Sequence, residues 1–225
     1  GSQAFNMAMD IYEPGSVFKI VTMAAALDAG VVVPETEYLD RGVYPVDGWD
    51  IRNWNGGAWG PQTMTTCMEH SLNVCLAYVA VEELGPTRFY NYLKAFQFGQ
   101  PTGIGLAREY SGLYRSPGDG EWREIDLATN SYGQGIIVTP LQMLRAVSAV
   151  ANKGSMVTPH ILKAVVNQGH QYTIESEIAG SPISPETART LSEMLATIVE
   201  SESYTKMNPD YRVAGKTGTG TIYDS

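Results

Sequence analysis

Tyr12-Glu13-Pro14-Gly15-Ser16-Val17-Phe18-Lys19 opens an apolar, helix-forming run and sets Ser16 and Lys19 three positions apart at its start. On a helix that spacing stacks both side chains on one face, about one turn apart. A serine hydroxyl is a poor nucleophile near neutral pH and needs a neighbouring base. Lysine serves as one only where burial or nearby positive charge lowers its pKa. Pro14 fixes a turn, and Gly15 permits a close backbone approach just before the helix. Ser16 then sits where free amides and the helix dipole point at developing negative charge. A second S-x-x-K, Ser203-Tyr204-Thr205-Lys206, lies in a polar stretch closed by Asn208-Pro209, with no apolar helix to bury its lysine. It reads as a chance match.

With 225 residues, 44% of them hydrophobic, the chain buries a real core and fits a single domain over 1–225, in which Gly1-Ser2 reads as a cloning remnant. The formal net charge is -9 and no basic run is present, which argues against nucleic acid or an anionic membrane surface as a partner. An anionic substrate must therefore meet a local positive site. Cys67 and Cys75 are too few for a disulfide framework and wrongly spaced for a C-x-x-C site, so buried free thiols are expected. No stretch approaches the ~18 apolar residues of a membrane span, and the start lacks a signal-peptide pattern, so the chain as given is expected to be soluble without membrane contact. His70, His160 and His170 show no ligand spacing and read as surface or packing residues.

Residues 16–29 read as a buried helix stopped by Gly30, and Val31–Pro34 and Gly42–Pro45 as short extended pieces. Trp49–Gly60 is a Trp- and Gly-rich loop. Thr63–His70, Val74–Leu84 and Pro86–Phe98 read as helices, and Gly99–Gly135 as a long punctuated loop. Thr139-Pro140 starts a helix with Leu141, Leu144, Val147 and Val150 along one face. Val157–Val166 reads as extended, and Ser184 caps a further helix through about Val199. Tyr211–Tyr223 alternates weakly, and its glycines suit a strand that a ligand approaches closely.

Three short motifs stand in order: Ser16-Val17-Phe18-Lys19, Ser71-Leu72-Asn73 and Lys216-Thr217-Gly218-Thr219. Each alone is weak. Acyl transfer needs a nucleophile, a proton acceptor, an oxyanion hole and a grip on the acyl donor, and the three motifs supply the residue types. Ser16 attacks and a neutral Lys19 takes its proton. Ser71 relays a proton to the leaving amine, and Asn73 orients Lys19 and the substrate amide. Lys216 disfavours protonation of Lys19, and with Thr217, Gly218 and Thr219 it holds a terminal carboxylate.

The set resembles the serine penicillin-recognising family, known by its S-x-x-K, S-D-N and K-T-G elements. Asn6 through Lys19, Leu27-Asp28-Ala29-Gly30, Thr102-Gly103-Ile104 and Tyr132 through Gln142 extend the match to the transpeptidase domain of a class B penicillin-binding protein. The resemblance implies an α+β fold, mostly helical here, and attack on the D-Ala-D-Ala bond of peptidoglycan stem peptides. It also implies acylation of Ser16 by β-lactam antibiotics, an oxyanion hole from the Ser16 and Thr219 amides, and neither metal nor nucleotide cofactor. For the parent protein it implies a place on the extracytoplasmic face of the bacterial membrane and contact with cell-wall synthesis and division proteins. Gly133-Gln134-Gly135 lacks the Lys-Ser/Thr of a phosphate loop and reads as a turn bordering the cleft.

Three rivals share the acylation step. A class A β-lactamase needs a Glu-x-x-Leu-Asn loop that Glu109, Glu121 and Glu124 do not provide, and Ser71-Leu72-Asn73 departs from S-D-N. A D,D-carboxypeptidase replaces the acceptor amine with water at the same site, and a β-lactam sensor or scaffold keeps the pocket without turnover. The family's sheet also uses strands beyond both ends of this sequence, so an incomplete antiparallel sheet is expected, with Lys216–Thr221 on an unpaired edge.

Overall fold

The computed structural model describes residue 8, residues 10–201 and residues 210–218. Asn6, the second S-x-x-K at 203–206, Thr219 and the 221–223 end of the expected strand lie outside them. Among the described residues the α-helices are α1 (Lys19–Asp28), α2 (Met64–Glu69), α3 (Asn73–Tyr78), α4 (Gly85–Ala95), α5 (Glu124–Asn130), α6 (Pro140–Ala151) and α7 (Pro185–Ser201).

Helix α1 is the centre of the packing. Every residue from Lys19 to Ala26 is buried, as an almost uniformly apolar helix must be, and α3, α4, α6 and α7 pack around it. Its end follows from Gly30, whose φ of +67° lets Gly30 N–H reach Leu27 O (3.0 Å) and Val31 N–H reach Ala26 O (3.2 Å), the paired bonds of a Schellman stop. Asp28 then ties two neighbours to α1, accepting from Tyr92 Oη (2.8 Å) on α4 and from Ser184 N–H (2.7 Å) and Thr187 Oγ1 (2.9 Å) at the start of α7.

On α6 the buried face differs from the expected apolar stripe. Gln142, Met143, Arg145, Ala146, Ala149 and Val150 face inward, and Leu144 is 63% exposed. Two polar side chains take core positions because each finds carbonyls in the long 97–112 segment. Gln142 Nε2 donates to Gln100 O and Ser111 O (both 2.8 Å), and Arg145 Nη1 donates to Thr102 O (3.2 Å). Burial of a polar group is tolerated only with such partners.

The β structure among the described residues is five two-stranded antiparallel sheets. Glu37–Asp40 pairs with Gly60–Thr63, Val43–Val46 with Trp49–Arg52, Leu113–Tyr114 with Ile136–Ile137, Met156–Val157 with Ile178–Gly180, and Ala164–Asn167 with His170–Thr173. Helices with small antiparallel sheets make an α+β fold. Val31–Pro34 forms no strand. Nor do Lys216, Thr217 and Gly218; among the described residues none pairs with them in a ladder, and the preceding Gly215 N–H reaches Leu195 O on α7 (3.3 Å).

Cys67 and Cys75 are bonded to each other, eight residues apart, with Cα atoms 6.2 Å apart; the expectation of free thiols is wrong. The spacing spans the end of α2, the Ser71 turn and the start of α3, and the turn brings the two cysteines within bonding distance. Closing so short a loop restricts the unfolded chain by roughly 2–3 kcal/mol. At about 2–4 °C per kcal/mol for a chain of this size, the double variant Cys67→Ala, Cys75→Ala should melt roughly 5–10 °C lower by circular dichroism. An unchanged melting temperature would show that the bond contributes nothing.

Candidate active site

Ser16 lies half-buried in a 3₁₀ turn, Gly15–Phe18, that runs directly into α1, and Lys19 is the first residue of that helix, fully buried. The turn is held from outside by the 132–138 segment. Gly15 N–H donates to Gly133 O (3.0 Å), Gly135 N–H donates to Glu13 Oε1 (2.9 Å), and Tyr12 and Val138 exchange two backbone bonds of 2.9 Å. Gly133-Gln134-Gly135 is thus a backbone turn docked on the residues that lead into Ser16.

Ser71 occupies the residue position just past the α2 cap, where glycine or asparagine is usual. Its φ is +55°. Ser71 N–H reaches Met68 O (3.2 Å) and Leu72 N–H reaches Cys67 O (2.9 Å). The left-handed conformation costs a non-glycine residue about 1–2 kcal/mol, and it turns the serine onto Lys19. Lys19 Nζ lies 2.6 Å from Ser71 O, 3.0 Å from Ser71 Oγ and 2.8 Å from Asn73 Oδ1. Asn73 is held in turn by its Nδ2, which donates to Arg52 O (3.2 Å).

Burial holds the Lys19 pKa well below the ordinary lysine value, and the charge of Lys216 lowers it further. The three acceptors match an ammonium. They also fit the neutral amine, whose two N–H groups serve Ser71 O and Asn73 Oδ1 and whose one lone pair is left to accept a proton from a neighbouring hydroxyl. The cage therefore accommodates Lys19 on either side of a proton transfer.

Gly218 completes the convergence. A Cβ there would stand 2.5 Å from Val17 Cγ2, so the Lys216-Thr217-Gly218 segment passes close over the residue that follows Ser16, and an added side chain would have to displace the Val17 methyl. Lys216 Nζ donates to Thr217 O (3.1 Å) and Oγ1 (3.4 Å). Of the eight expected residues, Lys19, Ser71 and Asn73 are in direct contact, Ser16 is one turn away, Gly218 touches the Ser16 turn, and Lys216 acts on Lys19 through its charge. Thr217 is exposed beside Lys216, and Thr219 lies outside the described residues. Gly133-Gln134-Gly135 was read as a turn bordering the cleft, but its bonds to Gly15 and to the Glu13 carboxylate were not foreseen. The backbone carbonyl of Ser71 has no sequence signal at all.

A family model described as the penicillin binding protein transpeptidase domain matches residues 3–225. The chain belongs to that family. Stage V sporulation protein D of Bacillus subtilis is 38% identical over 214 residues, 92% of this chain and 32% of that protein. Peptidoglycan D,D-transpeptidase FtsI of Escherichia coli K12 is 30% identical over 213 residues, 93% of this chain and 34% of that protein. The crystal structure of penicillin-binding protein 3 of Mycobacterium tuberculosis complexed with aztreonam superposes with a TM-score of 0.80 at 32% identity, covering 90% of this chain and 45% of that one. The transpeptidase-family chain thus spans about a third of the length of these two relatives.

Proposed function

We propose that this chain carries the acyl-transfer site of a peptidoglycan D,D-transpeptidase. The observation that carries the reading is the buried Lys19, one turn from Ser16, caged by Ser71 and Asn73 with its pKa driven down. Neutral Lys19 accepts the Ser16 Oγ proton as the oxygen attacks the carbonyl of the penultimate D-Ala. A new ester bond forms, the D-Ala-D-Ala amide breaks, and the proton returns through Ser71 Oγ to the departing amine. The amine of a neighbouring stem then attacks the ester: a new amide forms, the ester breaks, and the amine's proton returns by way of Ser71 and Lys19 to Ser16 Oγ. Lys216, Thr217, Gly218 and Thr219 receive the terminal carboxylate, and the Ser16 and Thr219 amides stabilise the oxyanion. The aztreonam complex of the M. tuberculosis relative and the likeness to the peptidoglycan D,D-transpeptidase FtsI support both substrate classes, β-lactams and stem peptides. The site belongs outside the cytoplasmic membrane, where peptidoglycan is built, and the parent protein works with other cell-wall synthesis and division proteins.

Intact-protein mass spectrometry after exposure to benzylpenicillin should show one adduct, mapped by peptide analysis to Ser16, that persists for many minutes. No adduct, or an adduct elsewhere, would overturn the assignment. Rapid loss of the adduct would point to a β-lactamase instead. With a stem pentapeptide, a cross-linked product formed in the presence of an acceptor amine marks a transpeptidase, and release of D-Ala alone marks a carboxypeptidase.

A further inference from the structure

We propose that Asn53, with Asp40 behind it, is the positioning residue that holds the Ser71-Leu72-Asn73 turn against Lys19; the inference rests on the acyl-transfer reading above. Asn53 is 4% exposed and Asp40 1%. Asn53 Oδ1 accepts from Val74 N–H (3.3 Å), one residue beyond Asn73, and its Nδ2 donates to Asp40 Oδ2 (2.8 Å) and to Gly57 O (3.2 Å). Asp40 Oδ2 also accepts from Trp59 N–H (2.8 Å), and its Oδ1 accepts from Gly42 N–H (3.2 Å). The Asn53 amide is thereby fixed in both direction and flip, since every neighbour of Asp40 is a donor and Val74 offers only an N–H.

The residues on either side of Asn53 grip the same turn. Arg52 O accepts from Asn73 Nδ2 (3.2 Å), and Trp54 Nε1 donates to His70 O (3.2 Å). Three consecutive residues therefore hold His70, Asn73 and Val74, the two flanks of Ser71. The turn needs this support for two reasons. Helix α3 has no side-chain cap of its own, because Leu72 stands at the capping position, so Val74 N–H would be an orphan donor at a buried residue. Ser71 also sits in a left-handed conformation that relaxes unless its surroundings hold it. Relaxation of Ser71 would withdraw two of the three acceptors around Lys19 Nζ.

The test is single-turnover acylation of the full-length gene product by a fluorescent penicillin, with rate constant and labelled fraction read separately. Asn53→Ala should lower the acylation rate constant about tenfold to a hundredfold, the scale of a misplacement near 1 Å, while the labelled fraction stays close to that of the unsubstituted protein. Asp40→Asn keeps the side-chain volume but leaves one acceptor oxygen for donors that meet both carboxylate oxygens, so its amide N–H faces Gly42 N–H or, flipped, Asn53 and Trp59; the rate constant should fall in the same direction. Adding Asn53→Asp to Asp40→Asn reverses the polarity of the pair and should recover part of the lost rate. A merely structural pair would instead lower the labelled fraction and leave the rate constant of labelled molecules within about twofold; that result overturns the proposal. If neither single variant labels, the reversed pair decides. Slow labelling supports positioning, and none makes Asp40 and Asn53 determinants of the fold alone. If the unsubstituted protein itself is not labelled at Ser16, it is the acyl-transfer reading that fails.

Discussion

Replacing Lys19 by arginine is expected to slow acylation of Ser16 by penicillin about 10²–10⁴-fold, the usual share of general-base catalysis. Arginine keeps the charge and the donors but cannot give up a proton near neutral pH, so it removes the base and leaves the cation. The pH profile separates this cause from a steric one. Burial, and then Lys216, push the Lys19 pKa down, so acylation should rise with pH through that lowered value and level off well below the ordinary lysine pKa of about 10.4. Lys216→Ala removes a positive charge, raises the Lys19 pKa and moves the rising limb to higher pH. In Lys19→Arg the limb should be absent. Stability carries the same sign. Between the lowered pKa and about 10.4 the unfolded chain binds a proton that folded Lys19 does not, so the Lys19 contribution increases as pH rises through that window and is smallest below it. Stopped-flow acylation across pH checks the first statement. A rate constant for Lys19→Arg close to that of the unsubstituted protein would exclude Lys19 as the base.

Gly133→Ala should be among the most damaging single-methyl changes in the chain. Gly133 has φ +85°, and a Cβ there would lie 2.1 Å from Gly15 O and 2.7 Å from Gly15 N and C. All three are backbone atoms of the turn that carries Ser16, so no side-chain rotation relieves the overlap. The left-handed conformation costs alanine about 1–2 kcal/mol, and forced overpacking adds about 1–3 kcal/mol. At about 2–4 °C per kcal/mol the melting temperature should fall roughly 5–20 °C, and penicillin labelling should be lost because the Ser16 turn must move. Gly30→Ala is the control: φ is +67° but nothing lies within 4 Å of the added Cβ, so only the conformational cost remains. Equal melting temperatures for the two variants would show that the contact between Gly133 and Gly15 does not constrain the Ser16 turn.

The helices were legible where local chemistry decides them. Thr139 with Gln142, and Ser184 with Thr187, cap α6 and α7 through hydrogen bonds between near neighbours, and Gly30 stops α1 by its own conformational freedom. Asp47-Gly48, both at positive φ, turns the hairpin of Val43–Val46 and Trp49–Arg52, a short-range signal that the reading of Trp49–Gly60 as a loop overlooked. The inward face of α6 was not legible. Its outcome depends on which distant carbonyls Gln142 and Arg145 meet, and hydrophobic spacing carries no record of them. The same holds for the cysteines, because an eight-residue spacing permits a bond only if the turn between α2 and α3 brings the two Cα atoms close, here to 6.2 Å.

The sequence by itself determined the motif set, the apolar helix behind Ser16 and the membership of the family, because spacing along a chain dictates which side chains share a helix face. Tertiary structure alone decided that Lys19, one turn from Ser16, meets Ser71 and Asn73. The Lys19 pKa falls only when α1 is enclosed by α3, α4, α6 and α7, and its Nζ is met there by Ser71 and Asn73, 52 and 54 residues away. A pKa is set by the solvent removed and the charges brought near, and both are properties of the folded interior rather than of the chain.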